Sequence, residues 1–141
     1  MARFDMSGLD PIIDDMRKYG EESGEAAQAM IMAGAEQVKL AWKRSAEEHQ
    51  HRDSGDMIES IGYPRQPKDI GNALTIDIYP QGKDHKGVRN AEKAFITHYG
   101  TSRRQGDHWV DDADAYSEET AVPAMAKIWE DFIATGRVKQ N

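Results

Sequence analysis

The sequence predicts an α+β fold: a long N-terminal helix and flanking helices packed on a small antiparallel β-sheet, with a C-terminal helix kinked near Pro123. Three observations carry this. Ala27, Ile31, Ala35, Val38 and Trp42 recur at steps of three or four and draw one apolar stripe over residues 22–48. ALTIDIYP, residues 73–80, alternates Leu74, Ile76 and Ile78 with Thr75, Asp77 and Tyr79, the period of a half-buried strand. Phe95, Thr97 and Tyr99 alternate with Ala94, Ile96 and His98, which reads as a second strand over residues 94–99, with a helical start as the alternative.

Taken in chain order, residues 3–6 read as a short edge strand. Ser7 follows as the N-cap of a helix with Leu9, Ile12, Ile13 and Met16 at helical spacing, ended by Gly20. The long helix over residues 22–48 is the structural spine, with Ile31, Val38 and Trp42 buried. Its Ala26, Ala29, Ala33 and Gly34 permit close approach of another element, and Gly34 costs about 1 kcal/mol relative to Ala. Asp53 or Ser54 caps a short helix bearing Met57, Ile58 and Ile61, closed by Pro64 and Pro67. The polar, glycine-punctuated loop of residues 81–90 is expected to be mobile. DDADAYSEE supplies acids suited to the positive end of a helix dipole, so the last helix begins near Asp111. Pro123 kinks or splits it, because proline donates no backbone hydrogen bond, and Gly136 ends it.

With 141 residues, no internal repeat and no linker, residues 1–141 read as a single domain. The net charge of -7 disfavours a nucleic-acid binder, whose phosphate contacts depend on Lys and Arg. The absence of cysteine excludes disulfides, thiolate chemistry and cysteine-based zinc sites. No signal peptide or spanning segment is legible, so the protein is expected to stay in the cytoplasm where it is made.

Three constellations offer chemistry. His49, His51 and Asp53 form an H-x-H-x-D cluster after the long helix, which would support a small cytoplasmic metal-dependent enzyme; a polar interhelical turn is the competing reading. Ser102, His108 and Asp107 supply the residue types of a nucleophilic triad. An acid adjacent to its histidine in sequence is poorly placed to orient the ring, however, and no G-x-S-x-G turn is present. Asp111, Asp112 and Asp114 could bind a hard cation or do acid–base work, but a solvated helix N-terminus explains them without further assumptions. Arg103 and Arg104, a basic pair in an acidic chain, are either an exposed turn or a docking point for carboxylates. Trp109 anchors the last helix to the core or anchors a partner.

The order of these segments resembles the tail-component, or neck, family of long-tailed bacteriophages, small proteins that join head to tail. The motifs are SGLD at residues 7–10, the helix around AMIMAGAEQVKLAW, SGDMIESI at residues 54–61, and AFITHYGTSRRQGDHWVDDA at residues 94–113. The resemblance covers nearly the whole chain. It implies a structural virion assembly protein at the head–tail junction, a neck or tail-completion protein and not an enzyme. It also implies a homo-oligomeric ring, most readily a hexamer, through which DNA passes without specific binding. Neighbours would be the connector or stopper and the tail-tube or tail-terminator proteins, with no cofactor, no metal and no membrane; the location would be the virion, after assembly in the host cytoplasm. In this reading Gly100, Thr101, Ser102, Ser54 and Gly55 shape structural turns, and Arg103, Arg104 and Trp109 face a neighbouring subunit.

Overall fold

The computed structural model describes residues 7–70 and 73–136, and two long helices carry its architecture. Helix α1 (Asp10–Tyr19), between short 3-10 turns at Ser7–Leu9 and Gly20–Ser23, leads into α2 (Gly24–Glu48). The short α3 (Asp56–Ser60) follows, then β1 (Ile61–Gly62), β2 (Lys68–Ile70), β3 (Ala73–Thr75) and β4 (Tyr79–Pro80). Helix α4 (Asn90–Tyr99) continues directly into β5 (Gly100–Thr101), which pairs with β6 (Arg104–Gln105) ahead of α5 (Trp109–Thr135). No helix among the described residues is long and apolar enough to cross a membrane.

Helices α2 and α5 run antiparallel. Near the end of α2, Ser45 donates its hydroxyl hydrogen bond to the Trp109 carbonyl at the start of α5, while Gly34 faces Met125 much further along α5. At 1.5 Å per residue each helix is about 40 Å long. The apolar positions sort into two clusters along this pair. Leu9, Ala26, Met30, Met125, Trp129 and Phe132 pack at one end, with Ile12 and Met16 of α1 against them. Val38, Trp42, Ala46, Trp109, Val110 and Ala113 pack at the other, joined by Met57, Ile58 and Ile61. Aromatic pairs hold both ends: Trp42 meets Trp109 edge-on at 5.4 Å, and Tyr19 meets Trp129 edge-on at 5.6 Å. Such pairs contribute about 1 kcal/mol beyond the area they bury. Between them, a Cβ on Gly34 would stand 2.8 Å from Met125 Sδ, so the glycine makes room for the methionine.

Several expectations are corrected. Residues 94–99 form the second half of α4, not a strand: Ala94 and His98 turn inward together, and Thr97 Oγ1 donates to the Lys93 and Ala94 carbonyls as hydroxyls do inside helices. The segment 73–80 is not one strand, because β3 pairs with β2 while β4 pairs with β1. The strands thus make three separate two-stranded antiparallel pairs. Ile31 is half-buried, and Met30 and Gly34 face inward where the stripe was drawn one residue later. Leu9, not Ser7, occupies the N-cap position of α1, which has no side-chain cap and takes Pro11 in its first turn. Gly55 occupies that position in α3. Helix α5 is not split at Pro123, which lies inside it on the exposed side, and it ends at Gly136 as expected, in the left-handed conformation. The expected strand at residues 3–6 lies outside the described residues.

The loop between β4 and α4 is tied down by its own side chains, against the expectation of mobility. The Asp84 carboxylate, only 2% exposed, accepts backbone N–H bonds from Lys86 (2.9 Å) and Val88 (2.8 Å) and pairs with Lys93. Asn90 closes the loop by donating through Nδ2 to the Gln81 carbonyl. The Lys93 ammonium, helped by the two N–H donors, holds the Asp84 carboxyl down at about 2. A carboxyl lowered by folding adds stability above its unfolded range, near pH 4, and loses it as the pH falls towards about 2. The melting-temperature difference between the parent and Asp84→Asn should therefore be full at neutral pH and shrink between about pH 4 and 2. Trypsin should also cut Asp84→Asn first at Lys83, Lys86 or Arg89. A difference that does not change with pH would contradict this role for the ion pair.

Candidate functional site

The functional candidates converge where α4, the β5–β6 hairpin and the start of α5 meet the end of α2. Gly100 leaves α4 with φ of +87°, a conformation that favours glycine. Strands β5 and β6 pair antiparallel with Gly100 opposite Gln105 and Thr101 opposite Arg104, so Ser102 and Arg103 form the tip. Thr101 Oγ1 accepts the Arg103 N–H at 3.2 Å and stabilises that turn. The chain then passes back over α4: a Cβ on Gly106 would lie 2.2 Å from the His98 carbonyl oxygen, and one on Gly100 would lie 2.4 Å from the Gly106 nitrogen. Two glycines face to face make this crossing possible.

Arg103 and Arg104 are exposed on the hairpin and have no ion-pair partner among the described residues. On α4, which leads into the hairpin, Phe95 and Tyr99 are 60% and 57% exposed, with ring centroids 4.7 Å apart. Trp109, expected to face a neighbour, is wholly buried: its ring packs on Trp42 and its indole N–H donates to Thr97 Oγ1 at 3.0 Å. It anchors α5 to the core and is not available to a partner surface. Ser54 Oγ accepts the Asp56 N–H at 3.3 Å, and Gly55 is left-handed with φ of +90°, together turning the chain into α3.

The triad types do not assemble: among the described residues no hydrogen bond joins Ser102 to His108 or Asp107. The histidines instead meet a different acid from the one their sequence spacing suggested. His49 and His51 extend from the end of α2 around Gln50, which has φ of +61°. Their rings lie nearly parallel, 6.1 Å apart and 10° from coplanar orientation. Both face Asp107 Oδ2, His49 through Nδ1 at 3.2 Å and His51 through Nε2 at 2.7 Å, while Asp53 is exposed and outside the group. Asp107 Oδ1 accepts the Trp109 N–H at 3.2 Å, which sets the carboxylate's orientation. The other ring nitrogen of His49 bonds Asp112 Oδ2 at 2.6 Å, and that bond, with the charge of Asp107, raises the His49 pKa above the usual histidine range. A second group, His98, His108 and Asp111, is less complete, since His98 Nδ1 already accepts the Val110 N–H at 3.3 Å and His108 stands 3.8 Å from Asp111. Burial lowers the His98 pKa. A cleft of about 420 Å³ adjoins the first group, with His51, Arg52, Lys93 and Arg104 among its walls.

No family model, curated protein or solved structure matches the chain. The functional geometry therefore rests on residues that sequence reasoning only half identified. Asp107 was visible only as the neighbour of His108, and its approach to His49 and His51 depends on where α5 starts. Asp112 was assigned to the helix dipole, and its bond to His49 gives it a further partner. Gly106 carries no local signal of its role, because its close approach to Gly100 and to the His98 carbonyl exists only once the hairpin has formed.

The crossing predicts a large effect from a small change. Gly106→Ala places a methyl group against backbone that cannot move aside, a strain expected to cost about 3 kcal/mol. Thermal unfolding should show a melting temperature lowered by several degrees. Gly82→Ala, left-handed with φ of +67° but in open space, should lower it less. Equal effects would contradict the close approach.

Proposed function

We propose that the protein is a structural component of a bacteriophage virion, a neck or tail-completion protein at the head–tail junction that joins its neighbours through the β5–β6 hairpin and the adjoining face of α4. The supporting observation is the exposure of Phe95 and Tyr99 on α4 together with that of Arg103 and Arg104 on the hairpin that follows it, in a chain of net charge -7. Paired, solvent-exposed aromatics flanked by unpaired arginines have the composition of an interface core with its charged rim. Elsewhere α5 exposes Glu118, Glu119 and Glu130, carboxylates of the sign that the arginines take. A surface of one kind meeting a complementary surface on the next copy is a heterologous contact, and such contacts generate a ring where the rotation closes.

The motif order adds to this reading. Y-G-T-S, which resembles the family's turn, forms a backbone-shaping hairpin here, with Ser102 at an exposed tip and without a catalytic base. The reading carries no enzymatic activity, and the ring would pass DNA without gripping it, in keeping with the acidic balance. The partners would be copies of the same chain and the connector, stopper, tail-tube or tail-terminator proteins on either side.

Charge reversal at the tip separates docking from folding. Arg103→Glu with Arg104→Glu should leave a normal circular dichroism spectrum and a melting temperature changed little, since exposed charges contribute under about 1 kcal/mol. In a complementation assay, joined infectious particles should fall at least tenfold through like-charge repulsion at the contact. Ser102→Ala should assemble normally. Normal particle yield from the double arginine variant would reject the docking surface, and loss of function in a folded Ser102→Ala variant would reject the non-catalytic reading.

A further inference from the structure

We infer that His49 Nδ1, His51 Nε2 and Asp107 Oδ2 form a binding site for a divalent transition-metal cation of the zinc class, with Asp112 holding His49 in register. This is independent of the virion role. The three ligand atoms lie within 4.8 Å of one another and come from two segments distant in sequence, the turn after α2 and the approach to α5. Two imidazoles and one carboxylate make a donor set suited to zinc, which takes His nitrogen and Asp oxygen at about 2.0–2.2 Å.

Four features go beyond a chance cluster. The His51 side chain is only 5% exposed, and its Nε2 is buried without a hydrogen-bond partner. It lies 2.7 Å from Asp107 Oδ2 but outside hydrogen-bonding geometry, so the nearby carboxylate leaves this buried ring nitrogen unsatisfied. His49 has its outer nitrogen on Asp112 at 2.6 Å, the carboxylate–histidine arrangement that fixes the tautomer leaving Nδ1 free to bind a metal. Asp107 is likewise oriented from outside, its Oδ1 accepting the Trp109 N–H. Finally, the non-glycine residues with positive φ among those described are Gln50 and His108, one between the two histidines and the other next to Asp107. Left-handed backbone at such residues persists only where the surroundings impose it, and both instances aim ligands at one point.

A cation here would clip the end of α2 to the start of α5. The Asp107 side chain is 34% exposed, so an ion bound to it would be open to solvent on that side. The competing account is a protonated His49 paired with Asp107 and Asp112, with no metal at all.

Calorimetric titration of the full chain with ZnCl2 separates the two, using protein freed of any affinity tag and stripped with a chelator. The inference predicts uptake of a single Zn2+ per chain, accompanied by a rise in melting temperature. Asp107→Asn, nearly isosteric and partly exposed, should stay folded by circular dichroism and bind at least tenfold more weakly. Asp112→Asn should weaken binding about 10- to 100-fold, whereas Asp53→Asn should bind as the parent does. CoCl2 in place of zinc should give the visible absorption of a nitrogen- and oxygen-ligated ion, lost in Asp107→Asn. No stoichiometric uptake by the parent, or uptake unchanged in Asp107→Asn, would overturn the site.

Discussion

The antiparallel contact between α2 and α5 is the constraint on which the remaining structure depends. Helical segments in proteins draw most of their stability from packing an apolar face, and each of these helices supplies that face to the other. Here the faces are narrow and built partly from small residues, Ala26, Gly34, Ala35, Ala41, Ala46, Ala113 and Ala121, so the backbones approach closely and the large side chains collect at the two ends. At one end, Tyr19, Trp129 and Phe132 bring α1 onto the pair. At the other, Trp42 and Trp109 bring on the short elements. Arg44 stacks over Tyr116 at 3.8 Å across the same contact and extends it to the surface.

That pairing also decides what sits together at the functional end. Trp109 is the pivot: its carbonyl accepts from Ser45, its indole donates to Thr97, and its backbone N–H reaches Asp107. The first two bonds fix α2, α4 and α5 relative to one another, and the third orients the Asp107 carboxylate. The β5–β6 hairpin is then the part of the chain left to project, because the Gly100–Gly106 crossing closes its base while its tip contacts nothing that would bury it. A rigid base with an exposed cationic tip and an aromatic pair beside it is a sound design for docking, since little conformational entropy remains to be lost when a partner arrives.

Much of this was legible in the sequence, for identifiable reasons. The 3.6-residue period of Ala35, Val38 and Trp42 and the terminating glycines Gly20 and Gly136 located the long helices, because such signals are local. Helix α4 was misread as strand because Phe95, Thr97 and Tyr99 have strand propensity and happen to alternate; packing of Ala94 and His98 against the neighbouring elements overrides that preference. The alternation of residues 73–80 was real but was divided between two partners, which single-strand patterning cannot reveal. The histidine cluster shows the same limit: His49 and His51 were found by their spacing, but Asp107 lies more than fifty residues away and replaces the adjacent Asp53 only once α2 and α5 have paired.

The central claim is that the hairpin tip meets another protein in the assembled particle. The chain contains no cysteine, so Ser102→Cys gives a unique thiol at the tip, and Ser102 is a position the account assigns no contact of its own. A photo-activated cross-linker attached there, in particles complemented with the variant, reads the claim directly. The account predicts that illumination joins the protein to neighbouring copies or to other virion proteins, and that most of the monomer band is lost. A monomer band that survives illumination of intact particles, with the label present and the particles infectious, would contradict it.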